Sequence, residues 1–159
     1  MLNDCVIDHE HTWFRYRSAG IIIHEQKMLF VENKIGNYFY MIGGGVQIGE
    51  TSASAVEREL FEETGLTSQV TRLAVVCENF FHEGIGAEAD KIRHTLEFYY
   101  VVKVDHIHNL PSETDLKEKI VWIPLEKIDQ FNIKPDFIKN HIKTILSSNE
   151  IIHYVQNDL

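Results

Sequence analysis

Apolar and aromatic positions alternate with polar ones from Trp13 to His24, where Phe14 and Tyr16 interleave with Arg15 and Arg17 and the run closes on Ile21-Ile22-Ile23. A period of two in aromatic and β-branched residues predicts a strand. Glu25-Gln26 makes a short turn and Lys27 to Glu32 returns as a second strand, so the pair reads as a hairpin. Asn33 to Asn37 is a turn cluster around Gly36, and Tyr38 to Ile42 is a short aromatic strand that delivers the chain to a glycine-rich loop. Gln69 to Phe81 and His94 to Val104 are strand-rich and predicted to pair, joined by a long Gly- and charge-containing connection from His82 to Arg93. Glu118 to Ile123 gives one more short strand, and Pro124 to Ile128 a short helical turn.

The period changes to that of a helix twice. From Thr51 to Gly65, Ala53, Val56 and Leu60 fall on one side and can face a core, while Glu59, Glu62 and Glu63 fall on another, below the small residues Ser52 and Ala55. Thr51 suits an N-cap, and Gly65 sits where a helix ends in a left-handed residue. A second helix starts near Pro135 and places Ile138, Ile142, Ile145 and Leu146 on one stripe. Mixed strands with a central and a terminal helix predict an α/β fold, a sheet packed between helices. Ile151, Ile152, Tyr154 and Val155 fit either an extra strand or a surface covered by a partner subunit, which keeps a homodimer open.

Composition narrows the class. A chain of 159 residues with 44% hydrophobic content fits one domain spanning residues 1–159. A formal net charge of −9 argues against nucleic acid or an anionic membrane as partner. It leaves nucleotide-type small molecules possible, because a bound metal inverts the local field. Cys5 and Cys77, the only cysteines, lack metal spacing and read as reduced thiols of a cytoplasmic protein. The histidines form no zinc pattern. No apolar run is long enough to span a bilayer.

Candidate chemistry concentrates between Gly43 and Leu66. Three carboxylates on one helix face repel one another, each like-charged pair one turn apart costing roughly 0.2–0.5 kcal/mol. A hard divalent cation would offset that cost, and Mg²⁺ is held by a few carboxylates while keeping waters for a phosphate substrate. The ordinary alternative is a solvated acidic face. The full pattern decides between them: Gly44, five residues, Glu50, seven residues, then Arg58-Glu59-Leu60-x-Glu62-Glu63-x-Gly65-Leu66. This resembles the Nudix box at every defining position. Two neighbouring positions depart from common usage, Ile42 where a proline often enters the loop and Gln47 where a glutamate is common. Outside the box, Trp122-Ile123-Pro124-Leu125 and the Pro135 helix also lie where such proteins have them.

The resemblance implies a Nudix-type α/β/α sandwich and a hydrolase that splits the diphosphate linkage of a nucleoside diphosphate joined to another moiety, using Mg²⁺ with Mn²⁺ as a possible substitute. It implies Gly44 (through its carbonyl), Glu59, Glu62 and Glu63 as metal ligands. Glu50 and Arg58 are expected to tie the loop to the helix and orient Glu59. A general base is expected from the box or a later loop, with Glu118 the candidate carried forward beside Glu97, Glu113 and Asp115. Arg15 and Arg17 share one sheet face and could present cations to phosphate, Arg17 the better candidate, or could protect an edge strand. Tyr38, Tyr40, Phe80 and Phe81 could stack on a base, although strand aromatics more commonly belong to the core. The connection from His82 to Arg93 is expected to border the pocket. The other functional class is a nucleotide-sensing Nudix domain without turnover; its signature would be a degraded box or an attached DNA-binding domain, and neither is seen.

Overall fold

The computed structural model describes residues 3–82 and 89–159. The predicted first strand is in fact two. Strand β1 (Val6–Asp8) pairs antiparallel with β2 (Thr12–Ile21), the chain breaks at Ile22, and β3 (Ile23–His24) joins a different sheet. Glu25 and Gln26 both have positive φ, at 48° and 60°, the backbone of a tight two-residue hairpin turn into β4 (Lys27–Asn33). β5 (Tyr38–Tyr40) extends that sheet, and β6 (Gly43–Gly45) returns to pair with β2 at Arg17 to Ala19.

Helix α1 (Ser52–Thr64) follows, capped by the Thr51 hydroxyl accepting from the Ser54 amide and ended by Gly65 at φ 74°. The long strands β7 (Ser68–His82) and β8 (Ile92–Val104) pair antiparallel, and β8 lies parallel to β2. β9 (Ile120–Pro124) pairs with β4 and runs into a short 3₁₀ segment, Leu125–Gln130. Helix α2 (Phe137–Ser147) begins two residues beyond Pro135, and β10 (Ile152–Asn157) lies parallel to β7. Between the two alternatives for the terminal segment, the extra strand is what forms.

Two sheets result among the described residues: β1-β2-β8-β7-β10 with β6 beside β2, and β3, β4, β5 and β9 around β4. Alternation along β4 shows how they pack. Met28 and Phe30 enter one core with Phe137, Ile138, Ile142 and Ile145 of α2, whereas Leu29 and Val31 enter the other with Val56 and Leu60 of α1. Strand side chains point to opposite faces in turn, so the strands lie between two helical layers. This is the mixed α/β sandwich that the pattern predicts.

Two positions differ from the periodic reading. Leu146, expected on the α2 stripe, is 53% exposed, while Phe137, on the opposite flank of Ile138, Ile142 and Ile145, is fully buried, so the buried face is rotated away from Leu146. In α1, Ser52 and Ala55 above the carboxylates are buried, Ser52 bonded to the Tyr100 hydroxyl at 2.7 Å while its carbonyl accepts from Ser18. The buried sector of α1 is therefore wider than the apolar stripe alone. Cys77 is buried, and burial pushes its thiol well above the ordinary range. No helix of the described residues is long and apolar enough to cross a membrane.

Candidate active site

The site is built where the glycine strand β6 meets α1. Arg58 stands one turn into the acidic stretch and uses every face of its guanidinium. Its Nε and Nη2 donate to the two oxygens of Glu50 at 2.8 and 2.9 Å, and Nη2 also donates to the Gly45 carbonyl at 2.9 Å. Nη1 donates to Glu59 Oε1 at 2.7 Å and to Glu62 Oε2 at 3.2 Å. Planar bidentate pairing of this kind fixes geometry as well as charge. The bond from Arg58 holds the Glu50 carboxyl below its ordinary range, and Glu50 in turn holds the guanidinium up. Glu50 also accepts from the Gln47 amide at 3.0 Å, so loop and helix are braced through one carboxylate.

The brace sets Glu59 against the glycine loop. A Cβ on Gly44 would lie 2.2 Å from the Glu59 carboxyl carbon, so only glycine lets the backbone and this carboxylate come so close. One turn on, Glu63 is pushed up to about 8, mainly by burial; the Arg17 cation opposes this, while Glu59, Asp115 and Glu118 add to it. Glu62 is turned outward, its side chain 52% exposed.

Among the described residues no three His, Cys, Asp or Glu side chains stand ready-gathered around one point. Glu59 is instead turned onto Arg58. The donor chemistry still fits a hard divalent cation. Glu59, Glu63 and the Gly44 backbone offer only oxygen ligands, and the crowded, desolvated Glu63 is a carboxyl that an added positive charge would ionise.

A cavity of about 560 Å³ opens beside these residues. Arg17 lies on its wall, pairing across the strands with Gly45, and donates from Nη2 to the Met41 carbonyl at 2.8 Å. Burial alone would lower its guanidinium, but Tyr99, Glu97, Tyr40 and Glu63 hold it above its ordinary value. Tyr40 packs under it, ring centroid 5.8 Å from the guanidinium carbon, and donates to Glu118 Oε2 at 2.6 Å. Burial and that bond keep the phenol protonated. Arg15 also lines the cavity and pairs with Asp4 at 3.1 Å. Since β2 is flanked by β1, β6 and β8, its arginines do not guard an edge.

The structure thus gathers Gly44, Glu50, Arg58, Glu59 and Glu63, with Glu118 reaching them through Tyr40 and Arg17. Glu113 and Asp115 are exposed, and Glu97 lies in the cavity wall. Tyr38, Tyr40 and Phe81 line the cavity rather than filling the core, whereas Phe80 stacks on His94 at 4.3 Å. Half of the connection expected to border the pocket, residues 83–88, lies outside the described residues, although His82 at its start is on the wall. Trp13, Asn79, Lys134, Gln156 and Asp158 also line the cavity. No spacing in the sequence pointed to them: strand register brings Trp13, Asn79 and Gln156 together, and Lys134 and Asp158 join from segments outside the strands, paired with each other at 3.7 Å.

Comparison with known proteins agrees with this architecture. A family model described as NUDIX domain matches residues 14–144. In sequence the chain is similar to an oxidized purine nucleoside triphosphate hydrolase of Mus musculus, 29% identical over 125 residues, which make 77% of this chain and 74% of the relative. In structure it is similar to a mutator MutT protein from Bacillus halodurans, with TM-score 0.64, 16% identity and coverage of 89% and 90% of the two chains. An ADP-ribose pyrophosphatase from Streptococcus suis aligns with TM-score 0.51, 14% identity and coverage of 89% and 98%. At such identities the structural likeness is one of fold.

Proposed function

The chain belongs to the Nudix hydrolase family, and from that premise we propose that it is a divalent-metal-dependent pyrophosphohydrolase of nucleoside diphosphate derivatives. The observation that carries this reading is the Arg58 brace, which presses Glu59 against Gly44 one turn from the desolvated Glu63. Isolated surface ion pairs contribute little, but here a single guanidinium ties three carboxylates and a loop carbonyl into one geometry. Gly44, Glu59 and Glu63, with Glu62 nearby, would hold a divalent cation, which would offset the negative charge of the phosphates and lower the pKa of an attacking water. Mg²⁺ suits that oxygen-only set, with Mn²⁺ as a substitute.

The protein's own groups supply the rest. Glu50 and Arg58 keep Glu59 in register. Arg17, held by the Met41 carbonyl, offers a cation between the carboxylates and the cavity. Glu118, with Tyr40 donating to it and its charge felt at Glu63, would serve as the general base. Nucleoside triphosphates are the first substrates to try, because the curated relative acts on oxidized purine nucleoside triphosphates. Nucleotide sugars and dinucleoside polyphosphates follow.

The test is a substrate screen with Mg²⁺ or Mn²⁺, reading phosphate released after a coupling phosphatase, for the natural chain and Glu63→Gln. Each 1.36 kcal/mol of transition-state stabilisation is tenfold in rate and a Lewis-acid site supplies several, so Glu63→Gln should lose about three decades of turnover. Folded protein that binds nucleotides yet turns over none of them would replace this reading with a sensing domain.

A further inference from the structure

Part of the cavity wall is a sheet face, and its register fixes what a ligand meets there. Arg15 pairs with Thr95, Thr95 with Asn79, and Asn79 with Gln156, so these four make one row across β2, β8, β7 and β10. Arg17 and Glu97 make the next row toward the glycine strand. All six line the cavity.

Glu97 is only 5% exposed and meets donors alone. The Thr95 hydroxyl and, at 3.2 Å, the Asn79 amide donate to Oε1, and the Tyr99 hydroxyl donates to Oε2. The Arg17 cation adds to the same field. An ionised carboxylate accepts about four hydrogen bonds. One acceptor position on Oε2 is therefore left over, on a residue that lines the cavity. Asn79 is oriented by the same contact: its NH₂ is committed to Glu97, which turns its Oδ1 away from that carboxylate. The wall thus offers two neighbouring acceptors, with the Arg15 and Arg17 guanidiniums in the same two rows.

Such a pair of acceptors rewards N–H groups. Trp13, Tyr38 and Phe81 in the same cavity supply flat apolar faces of the kind on which bases stack. We propose that Glu97, together with the Asn79 carbonyl, determines base specificity in this cavity by accepting from two adjacent N–H donors, as a guanine-type base presents, and that it disfavours adenine. Adenine places a ring acceptor beside its amino donor, so one of the two protein acceptors would face a lone pair. This rests on the cavity being the nucleotide site.

The test is calorimetric binding of the α,β-methylene analogues of GTP and ATP with Mg²⁺ to the natural chain, Glu97→Gln and Asn79→Ala. The natural chain should bind the guanine analogue roughly tenfold or more tightly than the adenine analogue, in line with sites built around a donor edge. Glu97→Gln, able to donate to adenine, should bring the ratio close to one, and Asn79→Ala should lower it by less. Equal affinities in the natural chain, or an equal loss for both bases in Glu97→Gln, would overturn the assignment. Should Glu97→Gln not fold, an unchanged ratio in Asn79→Ala overturns it alone. Binding is read without turnover. A guanine preference in a protein that hydrolyses nothing sustains the pair and sinks the hydrolase, and hydrolysis without base preference does the reverse.

Discussion

The two ends of the cleft are built in opposite ways. The carboxylate end comes from one stretch of chain, Gly43 to Glu63, and is braced by bonds of short sequence separation from Arg58 to Glu50, Glu59 and Gly45. The cavity wall gathers Trp13, Asn79, Glu97 and Gln156 from segments far apart, and only the pairing of four strands aligns them. A loop and one helix can specify the first end. The second exists only once the sheet has formed, so side chains there can change without disturbing the carboxylates.

Substitutions can break that separation, and the strongest is at Gly44. In Gly44→Ala the new Cβ would meet the Glu59 carboxyl at 2.2 Å, in the place where backbone and carboxylate must converge. Turnover should fall on the order of 10²–10³-fold, as when one preorganised electrostatic contact is removed, while methylene-analogue binding changes far less. If analogue affinity fell in parallel with the rate, the two ends would not be independent.

Arg58→Lys should act next most strongly. A lysine keeps the charge but not the fork that meets Glu50, Glu59 and Gly45 at once, so the rate should drop about 10–100-fold, as for lost outer-shell partners of a metal site. Titrating Mg²⁺ by activity should show a weaker apparent affinity. A Lys variant with unchanged metal dependence would reduce the brace to a surface ion pair.

The smallest effect is on melting, and it follows from Glu63. Its carboxyl lies near 4.5 in the unfolded chain and is pushed up to about 8 when folded, chiefly by burial. The folded state then binds more protons between those values, so metal-free protein should lose stability as pH rises from about 4.5 to 8 and level off above. A divalent cation requires the ionised form, so the rise in Tm produced by Mg²⁺ should be larger at pH 8 than at pH 6. Glu63→Gln should flatten both trends, and a pH-independent Mg²⁺ shift in the natural chain would assign the cation elsewhere.

How much of this could be read in the sequence follows the same division. Gly44, Glu50, Arg58, Glu59 and Glu63 sit at fixed spacings within one loop and helix, and Thr51 and Gly65 mark the ends of that helix. Strand existence was legible too, because alternation survives in a single sequence. Pairing was not. Nothing local says that Arg17 lies beside Glu97 or that Gln156 reaches Asn79. The break at Ile22 was hidden for the same reason, as an unbroken apolar run looks alike whether it serves one sheet or two. Leu146 fitted the helical stripe by angle, but the buried face extends from Ile138, Ile142 and Ile145 toward Phe137, which leaves Leu146 beyond its opposite margin.

β4 adds a consequence of another kind. Met28 and Phe30 press on the α2 side while Leu29 and Val31 press on the side of α1. A strand packed tightly on both faces behaves as a stiff partition, with little slack to absorb a misfit. Trimming Phe30 would let the strand lean toward the vacated space and draw Leu29 and Val31 from beneath the helix that carries the carboxylates. Through that partition, a change on the side of α2 becomes a mechanical tilt at α1, with no polar contact needed to transmit it.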